Sequence, residues 1–265
     1  MGAMGDQDVR QSKRRRVRIP VLKPAFTLIE LLVVIGVVGI LIGLLLPALW
    51  GAKLASEKAV TLANLRQTHT TFEFYTQRYN ETYPWFDGNS LIPLSPPDEP
   101  GSAIGPGYWD LEFYWVGLMH EVAPWREHFE SWLDGGARRG NPPWTAEDGN
   151  YNSITGLSSF RYCRSFMARP ELWRTDAVED DRLYRPVRLS DVAAPSSKVL
   201  LYDWELSYLR NNPDADRDLV PMVFADGHAT VHRVSEAADP VAPTWVRPEP
   251  EPLHDTPNGV RGRDY

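Results

Sequence analysis

Residues 26–46, FTLIELLVVIGVVGILIGLLL, decide the fold: 21 consecutive positions carry one ionisable side chain, Glu30. As an α-helix rising about 1.5 Å per residue, this stretch is roughly 31 Å long, which matches the hydrocarbon core of a bilayer. Upstream, residues 1–25 hold Arg10, Lys13, Arg14, Arg15, Arg16, Arg18 and Lys23 against Asp6 and Asp8, a net charge of +5. The whole chain sums to −7, so everything after residue 25 carries −12. A basic flank before an apolar span keeps the N-terminus cytoplasmic and sends the downstream chain across the membrane. A basic arm for nucleic acid is the competing reading, but the acidic remainder lacks the basic surface that duplex binding needs. A removed secretory signal would have a shorter apolar run, about 7–15 residues, closed by a small-x-small site. Here Pro47, Ala48, Leu49, Trp50 and Gly51 come next instead. A plain signal anchor accounts for the span and leaves Glu30 unexplained.

A carboxylate in lipid costs about 2.5–3.5 kcal/mol at the centre of a span and less toward its end, so it asks for a partner. If the chain is cut between Ala25 and Phe26, a neighbouring subunit's new amino terminus brings a positive charge to the same depth. The pair then neutralises itself only when subunits associate. KPAFTLIELLVVIGVVGILIGLLLP resembles the class III-type signal of type IV pilins and type II secretion pseudopilins. Its roles fall on Lys23 of the basic leader, Ala25 before the cut, Phe26 first in the mature chain, then Thr27, Leu28, Ile29 and Glu30. Ala25 stands where Gly is usual, and Ala is also small.

The resemblance implies cleavage by a prepilin peptidase on the cytoplasmic side, N-methylation of Phe26, and assembly through the pair of Glu30 and the Phe26 amine. It implies a helix loosened or kinked at Gly39 and Pro47. It also implies an α+β pilin-like fold, with a long transmembrane and amphipathic helix against a small antiparallel sheet. The expected partners are other pilin-like subunits, the peptidase and inner-membrane lipid, with no nucleic acid. The expected location is a single inner-membrane pass with the head periplasmic or extracellular, and a filament after assembly.

Along the rest of the chain, Leu62, Leu65, Phe72, Tyr75 and Tyr79 recur at helical spacing, and no Pro or Gly interrupts residues 52–81. The long helix is expected over 26–80, with Lys53, Glu57, Lys58, Arg66, Glu73 and Arg78 facing water and with Tyr83, Pro84 and Trp85 as its stop. The expected organisation is a cytoplasmic leader at 1–25, the helix at 26–80 with its membrane span at 26–46, a head at 81–238, and a loosely draped Pro-rich tail at 239–265. Short helices are expected over 110–122 and 124–133. Strands are expected over 159–167, 198–204, 221–225 and 228–234, the last two joined by a two-residue turn at Asp226 and Gly227.

A weaker resemblance lies in VRLSDVAAPSSKVLLYDWE and VFADGHATVHR, which are similar to the C-terminal part of a pilin-like family abundant in planctomycetes that carries an H-x9-D-G motif. Phe224, Ala225, Asp226, Gly227 and His228 fit it, while Asp216 stands where the motif has His.

Asp214, Asp216 and Asp218 alternate as at the start of a calcium loop, and related pseudopilins can carry Ca²⁺ in a C-terminal loop; the competing and favoured reading is a solvated acidic turn. The later EF-hand ligands fail, with Leu219 at the sixth position and Ala225 at the twelfth. No other cofactor is expected. His120 and Glu121 open an H-E-x-x-H pattern that Pro124 breaks, and the chain has no G-x-S-x-G, phosphate loop or C-x-x-C pair. The expectation is a non-catalytic head in which Cys163 packs rather than reacts and His228 and His232 are structural or exposed rather than metal ligands. Trp85, Trp109, Trp115, Trp125, Trp132 and Trp144 build either a core or a surface for glycans or a partner. The second choice makes the chain a membrane-anchored binding module instead of a filament subunit.

Overall fold

The computed structural model describes residues 27–93, 103–105, 107–137, 158–178, 180–241 and 249–265. The chain divides into two compact units, residues 1–49 and 50–265. The leader, Ala25, Phe26 and Trp144 therefore lie outside the described residues.

Helix α1, Leu28–Arg78, is continuous over 51 residues and runs through Gly39 and Pro47. Its stop is earlier than the Pro84 signal. Asn80 and Glu81 both take left-handed backbone, and the Glu81 N–H reaches back to the Thr76 carbonyl at 2.8 Å. This closes the last turn as a Schellman-type cap, for which Asn is one of the few tolerant side chains.

In the second unit α1 presents Leu65, Phe72 and Tyr75 to the core. Four threonines share that buried face, Thr61, Thr68, Thr71 and Thr76. Each hydroxyl bonds back to a carbonyl one turn earlier, at 2.9–3.4 Å, so the face is satisfied as well as packed. Thr61 and Thr68 are shared with the loop beyond: Gly135 N–H donates to Thr61 Oγ1 and Thr68 Oγ1 donates to the Ser131 carbonyl. Gly135 has no room for a side chain, since a Cβ there would stand 2.1 Å from the Glu57 carbonyl oxygen.

Strands β1 (Ile92–Pro93) and β2 (Ala103–Ile104) form a two-residue ladder. Helices α2 (Leu111–Leu118) and α3 (Trp125–His128), the latter extended by a 3₁₀ turn at Phe129–Trp132, fall inside the two short helices expected. They exist because Tyr114, Trp115, Trp125 and Trp132 are buried. The four-stranded antiparallel sheet has the order β3 (Phe160–Tyr162), β4 (Val199–Asp203), β5 (Leu219–Phe224), β6 (Ala229–Arg233). The first strand is shorter than expected, because Arg164–Phe166 turns into a 3₁₀ helix. The β5–β6 connection also differs from expectation. Phe224 N–H bonds to His228 O at 2.9 Å and Gly227 N–H to Phe224 O at 2.9 Å, which defines a three-residue loop in which Gly227 alone has positive φ. That is a type I turn followed by a bulge, rather than a two-residue turn with positive φ at both positions.

The largest correction concerns the segment expected to be a draped tail. Residues 249–265 belong to the core: Leu253, His254, Asp255, Thr256, Val260 and Asp264 are all buried. Asp264 accepts from Val199 N at 2.7 Å and from Lys198 Nζ at 3.1 Å, which pins the strap to the start of β4. Asn258 N–H bonds to the Trp173 carbonyl at 2.8 Å, with Asn258 and Gly259 both at positive φ. A Cβ on Gly259 would stand 2.3 Å from the Trp173 ring, so the glycine is what allows this approach.

Candidate functional site

The start of α1 carries the most specific chemistry. Thr27 N–H and Thr27 Oγ1 donate to Glu30 Oε2 at 2.8 and 2.7 Å, and Glu30 N–H donates to Thr27 Oγ1 at 3.2 Å. This is a capping box, in which two helix-end donors and the carboxylate satisfy one another. The T-x-x-E spacing ahead of an apolar run is itself a capping signal that a reading of Glu30 as an assembly residue alone passes over. Leu28, Ile29, Leu31, Leu32, Val33 and Val34 are all more than half exposed, and most of the large apolar side chains continue so to Leu49. Among the described residues one helix is long and apolar enough to cross a membrane, and its apolar window is not buried by the chain itself. Around Gly36, Gly39 and Gly43 a Cβ would meet nothing within 4 Å, so these glycines are not demanded by contacts within the chain.

The aspartates proposed for calcium are divided among other duties. Asp218 accepts from Ser235 N–H at 2.8 Å and from Ser235 Oγ at 2.5 Å, and Arg233 lies 2.7 Å from Asp216 and 3.3 Å from Asp218. The Ser235 hydrogen bonds, followed by the Arg233 guanidinium, hold the Asp218 carboxyl below its usual range. Asp214 is exposed. Glu121 takes the Tyr79 hydroxyl at 2.6 Å, and His120 Nδ1 is 3.1 Å from the Gly117 carbonyl, so neither is aimed at a shared ligand. His228 stacks on Phe224 with centroids 4.2 Å apart, and His232 on Tyr265 at 4.4 Å. Cys163 is fully buried, and burial pushes its thiol up, away from the reactive thiolate.

Sequence reasoning passed over a buried ionic cluster. Glu112 on α2, Arg161 and Arg164 around β3, and Glu251, His254 and Asp255 of the strap converge on it. Arg164 bonds Asp255 in bidentate fashion at 3.2 and 2.9 Å and reaches Glu251 at 3.1 Å and Glu112 at 3.4 Å. Arg161 contacts Glu112 at 2.8 Å and Glu251 at 2.9 Å. His254 Nδ1 accepts from Arg164 N–H at 3.2 Å, and its Nε2 is 2.8 Å from Tyr202 Oη. Ligand atoms of Glu112, Glu251 and His254 lie within 4.8 Å of one another, a spacing that could hold a metal ion. Two guanidinium groups already engage the carboxylates of Glu112, Glu251 and Asp255, so the cluster is built as an ionic clasp and a dication would compete with both arginines. The signal for it was present in the sequence as charges inside otherwise apolar stretches, LEFYWVGL and FRYCRSF.

Comparison with known proteins gives one match. The family described as "Prokaryotic N-terminal methylation motif" matches residues 23–46, about a tenth of the chain, and supports a type IV pilin-like protein anchored by its N-terminal helix. No curated protein and no solved structure matches the chain. The likeness of residues 187–233 to the H-x9-D-G family rests on those residues alone.

Proposed function

We propose that this chain is a pseudopilin-like subunit of an extracytoplasmic filament or type II secretion-like system, assembled through α1 after cleavage between Ala25 and Phe26. The observation that carries the proposal is the coincidence of the matched motif, residues 23–46, with the first part of a helix whose large apolar side chains stay largely exposed among the described residues. Lipid before assembly and neighbouring helices after it are the two environments that suit such a surface. Both Thr27 donors use Oε2 of Glu30, so among the described residues Oε1 is the oxygen that would receive the amine of a neighbour's Phe26. The basic leader orients the helix with its N-terminus inside, and the acidic head is carried to the outer side. The motif is one of structural subunits, and the reading needs no catalytic residue.

The test is the intact mass and N-terminal sequence of the protein recovered from its native membrane. The proposal expects a chain that begins with N-methylated Phe26. An intact Met1 start, or a cut beyond Pro47, contradicts it.

A further inference from the structure

We infer that the head carries a binding site for a neutral oligosaccharide, in an aromatic-walled cavity that filament assembly does not require. The cavity has a volume of ≈ 500 Å³ and is lined by Trp85, Tyr108, Trp109 and Tyr184, with Asp87, Asn89, Asp181 and Arg185 contributing polar groups. Its size falls within the range of small-ligand sites, and its composition is theirs: aromatic walls with a few fixed hydrogen-bonding groups.

The walls are held in place before any ligand arrives. Tyr108 packs edge-on against Trp109 and Tyr184, with both centroid distances 4.8 Å, and Trp109 packs edge-on against Trp173 at 5.6 Å. Trp85 Nε1 donates to Tyr108 Oη at 2.9 Å, and Tyr108 Oη donates in turn to the Met167 carbonyl. Trp85, Tyr108, Trp109 and Tyr184 nonetheless stay partly exposed, unlike Trp115, Trp132 and Trp173, which are fully buried. Rings that are rigid yet still reachable lose little entropy when they bind.

The polar groups are ordered by local chain geometry. Asp87 Oδ1 accepts from Asn89 N–H at 2.9 Å and Ser90 N–H at 3.0 Å, in a turn that needs the positive φ of Gly88. Arg185 Nη1 is tied to the Tyr184 carbonyl at 2.9 Å.

The chemistry selects among ligands. Flat aromatic faces suit the C–H faces of pyranose rings, and planar carboxylate, amide and guanidinium groups suit their vicinal hydroxyls. Two carboxylates against one guanidinium disfavour phosphorylated or other anionic ligands. The inference stands apart from the proposed assembly, because its test reads binding to unassembled protein.

The experiment titrates the full-length chain, in detergent micelles, with cellohexaose, laminarihexaose and N-acetylchitohexaose, following tryptophan fluorescence and heat. Saturable binding of at least one is expected, weakened about tenfold or more by Trp109→Ala, as for aromatic anchors of binding sites. Because Trp109 also packs on Trp173, the exposed Asp181→Ala serves as a second variant, expected to weaken binding at unchanged thermal stability. No saturable binding to any of the three up to about 10 mM, well beyond the millimolar affinity of weak specific ligands, overturns the inference. So does binding that neither variant changes.

Discussion

The two halves of α1 are one uninterrupted helix built for two different surroundings. From Leu28 to Leu49 the large apolar side chains are mostly more than half exposed, whereas from Trp50 to Arg78 eight residues are buried by the head. The second half obeys the rule of a soluble amphipathic helix, with one face satisfied by the chain's own core. The first has the composition of a helix suited to lipid, apolar all round, and its large side chains stay mostly exposed among the described residues. Sequence therefore encodes here both a self-sufficient head and a deliberately unfinished anchor.

That contrast predicts that mutations in the head act on folding and leave the anchor's behaviour alone. The largest effect is expected at Arg164→Ala, which leaves Glu112, Glu251 and Asp255 facing one remaining guanidinium, Arg161. Breaking a buried pair of this kind costs about 3–5 kcal/mol, to be read as a fall in the denaturant midpoint of the full-length protein in micelles.

A smaller, pH-dependent effect is expected at Asp203, which is fully buried with Oδ2 unbonded. Burial, followed by the neighbouring Asp134 carboxylate, pushes its carboxyl well above the usual 3.8. The folded head thus holds this proton more tightly than the unfolded chain. Its contribution to stability is complete below about pH 4 and is lost as pH rises through the raised value. Asp203→Asn keeps a neutral group that can accept from Leu206 N–H, so it should gain about 1–3 kcal/mol at alkaline pH and nothing in acid. A thermal melt series across pH checks it.

The smallest effect is expected at Phe74, a 48% exposed ring on the head half of α1. Phe74→Ser should change stability by no more than about 0.5 kcal/mol in the same melt. A larger change would mean that this face is also covered by a neighbour, and the contrast between the halves would soften.

How legible these regions were tracks the same division. The anchor was readable because lipid imposes a local demand, some twenty apolar residues in a row, that needs no tertiary contact to be recognised. Strands β4, β5 and β6 were readable for a related reason, being apolar runs bounded by turn residues. The strap was not, because it is buried by charge and by glycine rather than by apolar periodicity. Asp255 and Arg164 are 91 residues apart, and nothing local marks Asp264 as the partner of Lys198. The buried face of α1 was half readable, since Leu65 and Phe72 announced it and the threonines beside them did not. The end of α1 was misattributed because Pro84 is the louder signal, although Asn80 acts first.

The most direct test of the account is to replace Glu30 by Leu and measure, in the native host, how much of the subunit is recovered in sheared filaments. The same preparations give the head's melting temperature. Loss of filament recovery is expected with the head's melting temperature unchanged, because Glu30 lies in the anchor half of α1 and, among the described residues, is hydrogen-bonded to Thr27 of the same helix end. Undiminished recovery would contradict the assembly role, leaving Glu30 as a helix cap on an ordinary membrane anchor.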